Sequence, residues 1–158
     1  MKIDLKQRRT VNIYTDGSYN QKNASWAFVV IDYTNSLSGE IIFKDKGILE
    51  GDINKLWQIG GELKAVEFAI EWCKKNNYNA SIYYDSKGVR NWISDLLDNS
   101  PKPIWKAKNR WTKEYREFIK QHIHYIDSLN WVKSHNGNKW NEYVDNLVGL
   151  VNSEIVSP

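Results

Sequence analysis

Cysteine is nearly missing from this chain: Cys73 is the only one in 158 residues. A lone thiol excludes an internal disulfide framework and leaves zinc without paired sulfur ligands. It fits a reducing compartment, and the expected location is cytoplasmic. Long apolar runs are missing as well. No window approaches the ~18 apolar residues of a membrane span. The opening stretch MKIDLKQRRT is charged from its start, unlike a secretory leader. Repeats and low-complexity segments are also absent. A large excess of one charge is lacking: Lys+Arg 22 against Asp+Glu 19 gives a net charge of +3. That balance permits a nucleic-acid partner without demanding one.

Aromatic residues, by contrast, are plentiful, with eight tryptophans and nine tyrosines. Most read as core and surface filler; the alternative for some is stacking on bases. The length suits one domain with a sizeable core. Along the chain, VNIYTDGSY, SWAFVVIDY and GEIIFKDKGIL read as three strands joined by short polar turns, an antiparallel meander. Residues 62–75 have a helical period, with Ala65, Val66, Ala69, Ile70 and Cys73 on one face. ASIYYDS is a strand, KGVRNWISDLL a short helix and DNSPKPIW a proline-containing loop. TKEYREFIKQHIHYI is a helix, NWVKSH a strand and KWNEYVDNLVGLV a closing helix. Strands mixed with helices in this order predict an α/β layer architecture with a mixed sheet.

Three acids occupy unexpected positions. Stepping about 100° per residue from Glu62 brings Val66, Ala69 and Cys73 near the same direction. Glu62 therefore lies on the stripe that must face the sheet, although a glutamate near a helix start also has a bland reading through the helix dipole. Asp16 and Asp85 each end a strand, in IYTD and IYYD. Each could serve merely as a turn former or helix cap. If those two strands are parallel neighbours, their C-terminal ends coincide, where sites form in open α/β sheets. Three converging carboxylates would raise one another's pKa unless a cation sat between them. Hard oxygen ligands select Mg²⁺ or Mn²⁺. Paired divalent ions ~4 Å apart suit phosphodiester chemistry.

In the tail, His135 follows a strand and precedes NGN, on a loop where it could move protons near neutral pH or simply be solvated. On the last helix Trp140, Val144, Leu147, Val148 and Val151 form the apolar side. Asp145, with Asn141 beside it, points away, so periodicity reads a solvated face there.

Taken together these residues resemble the type 1 ribonuclease H family. The matching stretches are TDGS with Asp16, GGELKAVEFAIEW with Glu62, YYDS with Asp85, and VKSHNGNKWNEYVD with His135 and Asp145. The resemblance runs from about residue 11 to residue 152, and the expected division is a loose lead-in over 1–10, a catalytic domain over 11–154 and a tail over 155–158. It implies a ribonuclease H-like α/β fold, a five-stranded mixed sheet flanked by helices. The implied activity is cleavage of the RNA strand of RNA–DNA hybrids, leaving 3′-hydroxyl and 5′-phosphate ends. Two Mg²⁺ ions, or Mn²⁺ in their place, would be held by Asp16, Glu62, Asp85 and Asp145, with Asp16 bridging and His135 assisting proton movement. Gly17, Ser18 and Gln58 would read the RNA strand, and Asn141 joins the implied substrate-binding set. Trp105 and Lys106, with Lys108 and Arg110, would track DNA phosphates or else form a solvated basic loop. The expected partner is a hybrid, with no membrane and no small-molecule cofactor, and the chain is expected to act as a monomer. The alternatives are a non-catalytic hybrid-binding module and another nuclease on the same fold.

Overall fold

Period-two alternation in the first strand sends Val11 and Ile13 to one face of the sheet and Tyr14 to the other; all three are buried. A computed structural model describes residues 8–133 and 137–156, with side chains as far as Val151. Three strands come first: β1 (Arg9–Tyr19), β2 (Ala24–Asp32) and β3 (Glu40–Ile48). A 3₁₀ turn (Asp52–Leu56) leads into α1 (Gln58–Asn76), followed by β4 (Tyr78–Tyr84). Then come α2 (Gly88–Asn91), α3 (Ser94–Asp98), α4 (Arg110–His122), β5 (Ile126–Trp131) and α5 (Lys139–Val156). The sheet order is β3-β2-β1-β4-β5. Strands β1, β2 and β3 form the expected antiparallel meander, and β4 and β5 extend the sheet in parallel with β1. This is the five-stranded mixed sheet with flanking helices that the sequence predicts.

The two faces carry separate cores. On one, Leu63, Val66, Ala69, Ile70 and Cys73 of α1 pack with Ile13, Phe28, Val30 and Ile82, and with Tyr115 and Ile119 of α4. On the other, Val144, Leu147 and Val148 of α5 pack on Tyr14, Val29 and Ile31.

Several boundaries differ from expectation. Helix α1 begins at Gln58 rather than Glu62. The sequence signal is hidden by Gly60 and Gly61, since glycine inside a helix costs about 1 kcal/mol relative to alanine. Both are buried, and a Cβ at Gly61 would overlap the Ser25 carbonyl. A Cβ on Gly17 of β1 would likewise overlap the Glu62 backbone nitrogen. The strand and the first turn of α1 thus meet backbone to backbone. The helix ends at Asn77, in the left-handed conformation (φ 63°, ψ 48°), which asparagine tolerates at a C-terminus.

KGVRNWISDLL forms two short helices rather than one. Arg116 stabilises the break by donating to the Trp92 carbonyl (2.7 Å) and to Asp95 (2.7 Å). Helix α4 stops at His122, and a 3₁₀ turn (Ile123–Tyr125) interrupts the apolar run, with Arg8 donating to the His124 carbonyl (3.1 Å). Strand β5 therefore starts at Ile126 and ends at Trp131, ahead of the predicted NWVKSH. No helix among the described residues is long and apolar enough to cross a membrane.

Candidate active site

The sheet register brings the first two acids together. The parallel ladder of β1 and β4 ends at Tyr14↔Tyr83; two residues further along each chain stand Asp16 and Asp85. Asp16 does not end its strand, as the sequence suggested. The antiparallel ladder with β2 carries β1 on through Asp16↔Ala27 to Tyr19↔Ala24. Asp85 does follow the last residue of β4. It does not cap the next helix, whose N-cap is Lys87.

Glu62 arrives from above. It is the fifth residue of α1, and no acid occupies that helix's first turn, so the dipole explanation for it fails. The close approach of Gly17 and Gly61 lowers the helix until the Glu62 carboxylate meets the two aspartates. One carboxylate oxygen from each of Asp16, Glu62 and Asp85 lies within 4.8 Å of the others.

Asp16 is only 4% exposed, and its Oδ1 accepts the Gly17 N–H (2.8 Å). Burial pushes its pKa up to about 9, with the charges of Asp85 and Glu62 adding to the effect. Glu62 is pushed up to about 8, again chiefly by burial, against a lowering hydrogen bond from Ser86. Its Oε2 is buried and has no hydrogen-bond partner among the described residues. An orphaned buried carboxylate oxygen is costly. A divalent cation at ~2.1–2.4 Å from each ligand oxygen would satisfy it, because oxygens on one ion stand roughly 3–4.8 Å apart. The cluster is thus compatible with a divalent metal ion.

Asp145 joins from α5. Its helix buries Trp140, Val144, Leu147, Val148 and Val151 as expected, and Asp145 itself is exposed. It nonetheless hydrogen-bonds the Asp16 side chain, so the exposed face of α5 forms the rim of the acid cluster. Asn141 differs from expectation: it is 3% exposed rather than solvated. On the helical wheel it lies close to Val148, a signal that favours burial. Its N–H is held by the Asn138 side chain (3.0 Å), and its Oδ1 is a second buried oxygen without a partner among the described residues.

Of the remaining candidates, Gly17 and Ser18 continue β1 directly beyond Asp16, and Gln58 is exposed at the start of α1. Trp105 is 40% exposed and sets its ring edge-on to Trp92 (5.1 Å). Lys106 lines an open cleft with Pro103, Lys113 and Lys120. Lys108 and Arg110 are exposed nearby. These cations are not brought to the acid cluster by any described contact. His135 lies outside the described residues.

Known proteins resemble this chain in sequence and fold. A model of the RNase H family matches residues 8–152. A ribonuclease H of Wolbachia sp. subsp. Drosophila simulans (strain wRi) is 30% identical over 149 residues, covering 89% of this chain and 93% of the relative. A ribonuclease H of Francisella tularensis subsp. novicida (strain U112) is 28% identical, covering 96% of this chain and 97% of its own length. Among solved structures, RNase H1 of the halophilic archaeon Halobacterium salinarum NRC-1 superposes with a TM-score of 0.67 at 17% identity, covering 92% of this chain and 98% of that one. LC11-RNase H1, solved in complex with an RNA/DNA hybrid, also gives a TM-score of 0.67, at 14% identity, covering 93% of this chain and 99% of that one. The family match takes in all four carboxylates, Asp16, Glu62, Asp85 and Asp145, and most of the chain, and on that ground the chain belongs to the RNase H family.

Proposed function

We infer that this protein is an endoribonuclease that hydrolyses the RNA strand of RNA–DNA hybrids, leaving 3′-hydroxyl and 5′-phosphate ends. The observation that carries the reading is the meeting of Asp16, Glu62 and Asp85 within 4.8 Å, just beyond the end of the β1–β4 ladder. Such a cluster is built for cations rather than for stability, because charged carboxylates at this depth repel. The preferred ions are Mg²⁺, with Mn²⁺ as a substitute, held as a pair. Bound there, they supply an activated water and charge stabilisation for in-line displacement at phosphorus.

The chain's own residues hold and orient. Asp16, the most enclosed acid, would hold both ions, a role drawn from the family resemblance. Glu62 and Asp85 each hold one side, and Asp145 closes the rim. His135 assists proton movement, a role drawn from the family resemblance. Gly17, Ser18 and Gln58 face the RNA strand, whose 2′-hydroxyls distinguish it from DNA. Asn141, buried at the start of α5, completes the substrate-binding set. Trp105, Lys106, Lys108 and Arg110 provide a basic track for the DNA strand. The catalytic unit spans 11–154, works as a monomer and resides in the cytoplasm.

The test is incubation of the protein with labelled RNA–DNA hybrid, RNA duplex and DNA duplex, with and without Mg²⁺. Metal-dependent loss of RNA from the hybrid alone is expected, and Asp16→Asn should reduce it by at least about 10³-fold, the scale of losing a key electrostatic group. Degradation of the DNA duplex would mean another nuclease on this fold. Binding without cleavage would mean a non-catalytic module.

A further inference from the structure

Trp57 is the residue least explained by packing. It stands immediately before α1 with φ 57° and ψ −138°, a region that only glycine enters cheaply. The 3₁₀ turn Asp52–Leu56 is bounded by two such residues, and the other is Gly51 (φ 86°, ψ −158°). Glycine is the expected solution at both ends; at one end the chain carries its bulkiest side chain instead. Burial does not repay that strain. Trp57 is 61% exposed, and its ring joins neither apolar core.

The backbone beneath it is fixed. Asn54 accepts the Ala24 N–H (2.6 Å) and donates to the Leu49 carbonyl (3.0 Å), while the Trp57 N–H bonds the Asn54 carbonyl (3.1 Å). The indole is therefore presented from a rigid support. It lies next to exposed Gln58 and, at 1.5 Å rise per residue, roughly 7 Å along the helix axis from Glu62. The same helix turn rests on Gly17 of the site strand.

We propose that Trp57 is a substrate-contacting residue whose indole packs against the sugars of a nucleic-acid minor groove, beside the nucleotides that Gln58 meets. This rests on the hybrid-nuclease reading above. The ligand chemistry follows from the neighbourhood: a flat apolar surface next to an amide donor and a cation-seeking acid cluster fits a sugar–phosphate edge carrying hydroxyls.

The test compares wild type, Trp57→Gly and Trp57→Phe, each measured for hybrid cleavage and for thermal melting. Hybrid affinity is read by fluorescence anisotropy in an Asp16→Asn background. Glycine relieves the backbone, so Trp57→Gly should melt at or above the wild-type temperature. It should also bind hybrid about tenfold more weakly, a typical scale for losing one aromatic contact, with the loss in KM rather than kcat. Trp57→Phe should recover most of the affinity. Unchanged affinity in Trp57→Gly, or weaker affinity together with a lower melting temperature, overturns the assignment. So does a change in sedimentation, which would make Trp57 a contact between copies of the chain. Failure of the wild type to cleave hybrid would instead remove the functional reading itself.

Discussion

A carboxyl group buried beside two other acids can be tolerated by holding a proton or by binding a cation. Burial and the neighbouring acids push Asp16 up to about 9 and Glu62 up to about 8, which favours the first route wherever no cation is bound. The unfolded chain releases those protons near pH 4, so between there and pH 8–9 the folded state binds more protons than the unfolded one. Stability must then fall as pH rises through that window. In chelator, urea denaturation should show a loss of at least about 1 kcal/mol between pH 5 and 8.5, since each unit of pKa difference is worth up to 1.36 kcal/mol. Saturating Mg²⁺ should restore the pH 8.5 midpoint by binding only the folded state. Equal midpoints at both pH values in chelator would show that these carboxyls are not proton-loaded.

At the scale of elements, the contact between β1 and α1 sets the height of Glu62 over the sheet. Gly61→Ala would force a methyl group into the Ser25 carbonyl. The expected cost is about 1–3 kcal/mol of stability, as for other overpacked sites, accompanied by a larger proportional loss of kcat/KM because Glu62 is lifted. A variant with wild-type activity and stability would show that the helix can shift without consequence. This contact was hard to read from sequence, because a glycine pair looks like a helix breaker unless the opposing strand is known. The stripe from Ala65 to Cys73 and the alternation in β1 were legible, since period alone fixes which face is buried. Asp145 was the opposite case: its wheel position gave the exposure correctly, but only the placement of α5 across the sheet shows that this exposed face borders Asp16. The start of β5 is hidden in the sequence because Ile123, His124, Tyr125 and Ile126 prolong a helical pattern that pairing with β4 overrides.

For the whole molecule, a net charge of +3 is too small to explain hybrid binding by itself, so the placement of the cations matters. Lys106 and Lys108 stand exposed on the segment that leads into α4. If both meet phosphates, replacing both with alanine should weaken hybrid binding uniformly across sequences. It should also reduce the slope of log K against log salt by roughly 1.5–2, about 0.9 per contact. A slope equal to that of wild type would assign these lysines to the solvated loop. Titration of binding against potassium chloride distinguishes the two.

The pairing of Tyr14 with Tyr83 has a consequence for how the chain can change in length. Both aspartates follow that pair by the same count, and successive residues on a strand face opposite ways. One amino acid gained or lost between Tyr14 and Asp16, which stays within β1, would swing that carboxylate to the far side of the sheet, and one between Tyr83 and Asp85 would shift the other off the end of β4. Substitution can erode the centre gradually, whereas such an indel would dismantle it in one step. Insertions are expected instead where no count is kept, in the turn over 33–39 and the loop over 99–109.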